Sequence, residues 1–257
     1  MIQRLDFSYD GISSLDMGVI QVSLEGGLFK ETFVANKKIN EVSIRGREKP
    51  YFFGTERDPL SFPLTIYFED GFDENKIRNV ARWLDQDFYK PFYFLEDPNK
   101  IYYAMTLENS EFIHNGIRDG FITLNFRCNS PYAYSPVTTK TYDFSNNTSS
   151  GTQIIINNYG DLECKPLLAI EPLEDGDISI VNLSDNNKEF KFTGLKKGEI
   201  VTIDNEKELI ESSLSYVWRY ENFNNNYLSL KVDENKLNVY GKCKLTFKYQ
   251  FKYKTLF

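Results

Sequence analysis

Histidine is almost missing from this chain: His114 is the one copy among 257 residues. A Ser-His-Asp or Cys-His nucleophilic arrangement would have to be built on it. Its context, Phe112-Ile113-His114-Asn115-Gly116, reads instead as a strand end entering an exposed Asn-Gly turn. Cysteine is scarce as well. Cys128, Cys164 and Cys243 lie far apart, form no C-x-x-C pair and are odd in number, which argues against a disulfide framework. One histidine and three scattered cysteines cannot assemble a zinc centre of the usual kind. Cys128 and Cys243 fall in apolar-alternating stretches and are expected to be buried thiols of a protein made in a reducing cytosol. No run of about 18 apolar residues is present, so no membrane-spanning helix is expected. The start, M-I-Q-R-L-D-F, has no signal-peptide core, and export by the general secretory route is not expected. Neither a P-loop nor a G-x-G-x-x-G occurs. D-N-N-K-E at Asp185 to Glu189 lacks the glycine and distal glutamate of an EF-hand loop. An excess of cations is missing too. The formal net charge is −7 and the pI about 5.0, which excludes a general affinity for nucleic acid or anionic membrane. Carboxylates are plentiful, but Asp85 with Asp87, and Glu174 with Asp175 and Asp177, read as solvated helix or turn charges rather than a glycosidase pair. The sequence therefore predicts no enzyme, no catalytic residue, no cofactor and no metal.

Aromatic residues are abundant, with 21 Phe and 17 Tyr, and they favour strands. One stretch departs from that pattern. Ile77, Val80, Ala81, Leu84 and Phe88 recur at helical spacing. Asp73 can cap this helix, Phe72 can staple against Ile77, and Pro91 must end it. The expected helix covers about 74–90. A strand over Phe92 to Leu95, a turn at Glu96-Asp97-Pro98-Asn99 and a returning strand over Ile101 to Leu107 should follow. Leu60, Phe62, Leu64, Ile66 and Phe68 form a strict period-two row, in which Pro63 suggests an edge or a bulge. Ile122, Leu124, Phe126 and Cys128 form another. Cys243, Leu245, Phe247, Tyr249, Phe251 and Tyr253 alternate with a lysine-rich row that should face water or guard an edge.

The segment Ser135 to Thr152 is polar, small and aperiodic, and a domain boundary is expected there. The expected fold class is mostly β: two β-sandwich-like domains over residues 1–140 and 150–257, the first carrying one packed helix. Two features suggest contacts with a neighbour. Gly26 to Lys38 reads as a hairpin arm or loop that is too polar for core yet carries Leu28, Phe29 and Phe33. Arg45-Gly46-Arg47 lies beside a turn, where it can pair with another chain or remain solvated. The expected subunit-interface residues are Leu28, Phe29, Phe33, Arg45 and Arg47.

The order of motifs in the first half resembles the N-terminal domain of siphophage distal tail proteins. It runs from Leu5-Asp6-Phe7 through Arg45-Gly46-Arg47 and Leu64-Thr65-Ile66-Tyr67-Phe68 to a helix with Trp83-Leu84 near its end. The hairpin Phe94 to Ala104 follows, then Phe126-Arg127-Cys128-Asn129-Ser130-Pro131-Tyr132. The second half resembles that family's C-terminal galectin-like sandwich, through Asn157, Tyr159-Gly160, Pro166, Gly198-Glu199 and Ile203-Asp204-Asn205. It departs from sugar-binding galectins, which use a His-x-Asn-Pro-Arg motif. Trp218-Arg219-Tyr220-Glu221 keeps only their Trp-x-x-Glu spacing.

The resemblance implies a structural virion protein at the tail tip. It implies a ring, commonly of six copies, that joins the tail tube to the baseplate and leaves a channel for DNA. The implied partners are further copies of itself, the tail tube protein, the tape measure protein and a baseplate hub or tail-associated fibre protein. An acidic chain suits a passage through which DNA slides without sticking. The alternative expectation is a carbohydrate-binding adhesin of the tail tip that uses Trp218 and Tyr220; a two-carboxylate glycosidase is a third.

Overall fold

The period-two rows read from the sequence form the centre of two β-rich units. The computed structural model describes residues 6–23, 34–107, 110–116 and 119–254. The chain divides into a first unit, residues 1–134 with 253–257, and a second, residues 135–252.

The first unit contains β1 (Phe7–Tyr9), β2 (Ile12–Ser13), β3 (Val19–Gln21), β4 (Lys37–Val42), β5 (Tyr51–Arg57) and β6 (Ser61–Phe68). Then come α1 (Glu74–Leu84), β7 (Lys90–Phe94), β8 (Tyr102–Thr106), β9 (Glu111–His114), β10 (Gly120–Cys128) and β11 (Ala133–Tyr134). Eight strands make one antiparallel sheet in the order β2-β1-β7-β8-β10-β6-β3, with β9 also on β10. Phe62, Leu64, Ile66 and Phe68 of β6 point into the core, as do Leu124, Phe126 and Cys128 of β10. Pro63 lies opposite Asn125, in the half of β6 that β3 does not pair. Its missing N–H therefore removes no bond to β3.

Helix α1 starts where the sequence predicts, with the Asp73 carboxylate accepting from the Lys76 amide at 2.7 Å. It ends at Leu84, earlier than the expected residue 90. The Gln86 side chain turns back and donates to the carbonyls of Arg82 and Trp83, closing the last turn. Phe88 is consequently not on the helix and is exposed. The core anchors of α1 are Val80, Trp83 and Leu84.

The second unit holds β12 (Thr138–Asp143), β13 (Thr152–Asn158), β14 (Leu167–Pro172), β15 (Gly176–Asn182) and β16 (Lys188–Leu195). β17 (Val201–Asp204), β18 (Leu209–Ser212), β19 (Asp233–Tyr240) and β20 (Cys243–Tyr249) complete its sheets. A final β21 (Lys252–Tyr253) brings Tyr253 back against the first core. One sheet runs β12-β20-β14-β17-β18 and the other β13-β19-β15-β16. Leu168, Ile203 and Phe247 from the first meet Ile180, Phe192 and Leu237 from the second in one buried cluster, so this unit is a β-sandwich.

The segment in which the domain boundary is expected contains a strand. Thr138–Asp143 is a strand, paired along its length with β20 from Thr138↔Tyr249 to Asp143↔Lys244. Its polarity reflects an edge position with a solvated face, not the absence of structure. The lysine row of β20 guards no edge, because β20 lies between β12 and β14.

Candidate functional site

Of the five expected interface residues, Leu28, Phe29 and Phe33 lie outside the described residues. Arg45 and Arg47 occupy the tip of an arm that the sequence did not delimit. Among the described residues β4 and β5 pair only with each other and form a separate two-stranded sheet. The tip turns at Gly46, whose φ of +86° suits glycine, with the Arg47 amide donating to the Ile44 carbonyl. At the base, Lys38 bonds Asp58 at 2.7 Å and Arg57 donates to the Ala35 carbonyl at 2.9 Å. Between tip and base, large apolar side chains face solvent: Phe53 is 72% exposed, Phe52 65% and Ile39 61%, with Val42, Ile44 and Tyr51 beside them. The Arg47 guanidinium lies over the Tyr51 ring, 4.0 Å from its centroid. A lone two-stranded ribbon is marginally stable in water. Contiguous exposed apolar surface of this kind marks a binding surface. The sequence missed β5 because Tyr51-Phe52-Phe53-Gly54 has no period-two alternation; a β-bulge shifts the register between Asn40 and Glu41.

A second apolar feature of the first unit is a groove between α1 and strands β8 to β10. Its volume is about 490 Å³, and Ile77, Ala81, Leu84, Leu107, Phe112 and Ile122 line it. Leu107 and Phe112 are exposed within it. The Thr106 hydroxyl in its lining donates to the Leu84 carbonyl. Asp85 and Glu111 sit among the lining residues as carboxylates.

The second unit presents a different surface. Glu199 is fully buried and receives two hydrogen bonds from Arg219, at 2.7 and 2.6 Å, with others from the Ser212 hydroxyl and the Lys196 amide. Burial alone would raise the Glu199 carboxyl, but these hydrogen bonds and the Arg219 charge hold it below the usual carboxylate range. The pair fixes the segment before it. Trp218 is 79% exposed there and Tyr216 99%, the latter in a left-handed conformation at φ +61°. The Tyr220 hydroxyl accepts from the Ile210 amide. Arg219 thus serves as a structural strut, and Glu221 is exposed rather than placed as in a galectin site. Sequence spacing could not pair Glu199 with Arg219, because each belongs to a different loop.

No catalytic constellation forms among the described residues. His114 is exposed at the end of β9, with its Nδ1 accepting from the Gly116 amide. Glu174, Asp175 and Asp177 pair separately with Lys242, Lys196 and Lys191. All three thiols are buried; burial pushes Cys128 and Cys243 up to about 12 and Cys164 up to about 11. No cluster of metal-ligating side chains occurs among the described residues.

Comparison with known proteins identifies the family. Residues 2–130 match the family described as phage tail protein N-terminal domain, and residues 132–249 match phage tail C-terminal domain. The SPbeta prophage-derived protein YomH of Bacillus subtilis (strain 168) is 36% identical over 247 residues, which is 96% of this chain and 97% of that protein. Among solved structures, the Dit protein of phage SPP1, called a paradigm of the hub adsorption apparatus in phages infecting Gram-positive bacteria, superposes with a TM-score of 0.70. It is 16% identical, over 97% of this chain and all of that one, so the likeness is one of fold. The two family matches follow one another in the order of the two units, and the chain belongs to the phage tail protein family.

Proposed function

We propose that this chain is the distal tail hub of a tailed phage, a non-enzymatic virion protein. In this reading six copies form a ring through their first units. The ring joins the tail tube to the baseplate and leaves an axial channel for DNA. The observation that carries the proposal is the β4–β5 hairpin, whose apolar side chains enter no core among the described residues. A repeated head-to-tail contact buries such a surface in every copy and closes into a ring. The tail tube protein, the tape measure protein and a baseplate hub or fibre protein are the proposed further partners. The net charge of −7 suits a passage that binds no DNA specifically.

The test is native mass spectrometry and electron microscopy of the purified chain over a range of concentrations, and of the assembled tail. A closed ring of first units is expected. One or two copies at the tip, or a ring lined by second units, would overturn the proposal. Replacing Phe52 and Phe53 by Asp should abolish the ring while each chain stays folded.

A second reading is favoured by the pinned, exposed Trp218 and Tyr216: a carbohydrate-binding adhesin of the tail tip. Exposed aromatic rings can stack on sugar faces. A glycan array separates the two readings, since a hub without an adhesin role binds none of the glycans.

A further inference from the structure

The groove beside α1 and the hairpin tip are complementary, and both belong to the first unit. We propose that the tip of one copy seats in the groove of the next, so that this knob and hole form the ring's repeated contact. This proposal rests on the ring reading above and specifies the occupant of each surface.

Three observations support it. The groove is apolar along its floor and open, and no hairpin residue of its own chain lines it. Its volume of about 490 Å³ falls within the range of about 300–1,000 Å³ in which clefts hold bulky apolar groups. The hairpin offers such groups, Ile44, Phe52 and Phe53, on a ribbon that projects them into solvent. Charge agrees as well. Residues 44–50 carry Arg45, Arg47 and Lys49 against one carboxylate, Glu48, whereas the groove's carboxylates are Asp85 and Glu111, with no cation among its described lining residues. Opposite charges around an apolar contact fix its orientation and speed encounter. Because the two surfaces differ, the contact is heterologous and continues from copy to copy until the rotation closes.

That asymmetry yields the test. Two variants are made under conditions in which the wild-type chain assembles. Phe52→Asp with Phe53→Asp destroys the knob, and Ala81→Trp fills the hole from an exposed position of α1. Each variant alone should remain monomeric by native mass spectrometry, with unchanged circular dichroism. Mixed, they should give one-to-one heterodimers and no ring, since only one productive contact remains. A charge exchange provides a variant that leaves the groove floor intact. Asp85→Lys with Glu111→Lys should weaken assembly about tenfold, and adding Arg45→Glu with Arg47→Glu should restore it. Normal rings from the Ala81→Trp chain would overturn the knob-and-hole contact while leaving the ring, and would assign the groove to another partner. Two monomeric variants that fail to pair on mixing, or a charge exchange without rescue, would also overturn it. A wild-type chain that forms no ring, either alone or in the tail, would instead overturn the hub reading beneath it.

Discussion

The indole nitrogen of Trp83 donates a hydrogen bond to the backbone carbonyl of Tyr9 at 2.8 Å, tying α1 to the first strand across 74 positions of sequence. The same indole stacks on Phe7 with ring centroids 5.5 Å apart. One side chain thus joins the helix to the sheet by both packing and polar satisfaction.

Removing that donor has a defined cost. Trp83→Phe leaves the buried Tyr9 carbonyl without its side-chain partner and should destabilise the chain by about 1–3 kcal/mol. Leu84→Ala on the adjacent turn should cost about 2–5 kcal/mol by opening a cavity. Urea midpoints followed by far-UV circular dichroism measure both. A loss below about 0.5 kcal/mol at either position, the range of ordinary surface changes, would mean that α1 is not held by these residues.

The Glu199–Arg219 pair should behave as a buried ion pair. Arg219→Ala leaves an uncompensated carboxylate and should cost about 3–5 kcal/mol, whereas Glu199→Leu with Arg219→Met should recover most of that loss. Thermal unfolding of the wild type and the two variants checks the contrast. A single substitution as harmless as the double one would show the pair to be solvated.

Acid should act through the same carboxylate. The Glu199 pKa is lowered in the folded chain, so its contribution is fully present above the unfolded value, about 4.3, and is lost as pH falls through the folded value. The stability difference between wild type and Glu199→Gln should therefore be constant near neutrality and shrink below about pH 4. A difference that grows on acidification would reverse the sign of the assigned shift.

Proteolysis should follow structure rather than composition. The hairpin tip exposes Arg45, Arg47 and Lys49, while Lys140 lies within a strand paired to β20. Trypsin should cut the free chain after residues 45 and 47 before it cuts after 140, and ring assembly should protect the tip; the bond after Lys49 is a Lys-Pro bond that trypsin spares. Early cleavage after Lys140 would restore the linker between the domains.

The thiols should be silent. Cys128, Cys164 and Cys243 are buried, and burial raises each thiol well above neutrality. A disulfide-exchange reagent at pH 8 should label none of them until denaturant is added. Rapid labelling of any one would indicate local opening of the strand or loop that carries it.

The sequence by itself determined what local patterning and single-residue chemistry can carry. The rows Phe62 to Phe68 and Leu124 to Cys128 became core faces because side-chain alternation has the period of a strand. Asp73 became the cap because a short carboxylate can reach the free amides of a first turn. The scarcity of histidine and the scattered cysteines left no residues from which a His-based triad or a usual zinc centre could be expected. Some motifs carrying the family resemblance have local reasons that only the fold reveals. A Cβ on Gly160 would lie 2.8 Å from the Lys252 carbonyl, and Asn205 is buried, bonding the Pro166 carbonyl and the Leu228 amide. Tertiary structure decided the rest, because it depends on residues distant in sequence. Thr138–Asp143 is a strand only because β20 lies beside it, and Gln86 ends α1 before the proline could. Glu199 finds Arg219 across two loops. The apolar side chains of β4 and β5 are exposed because this ribbon meets no other strand among the described residues, which no window of sequence can report.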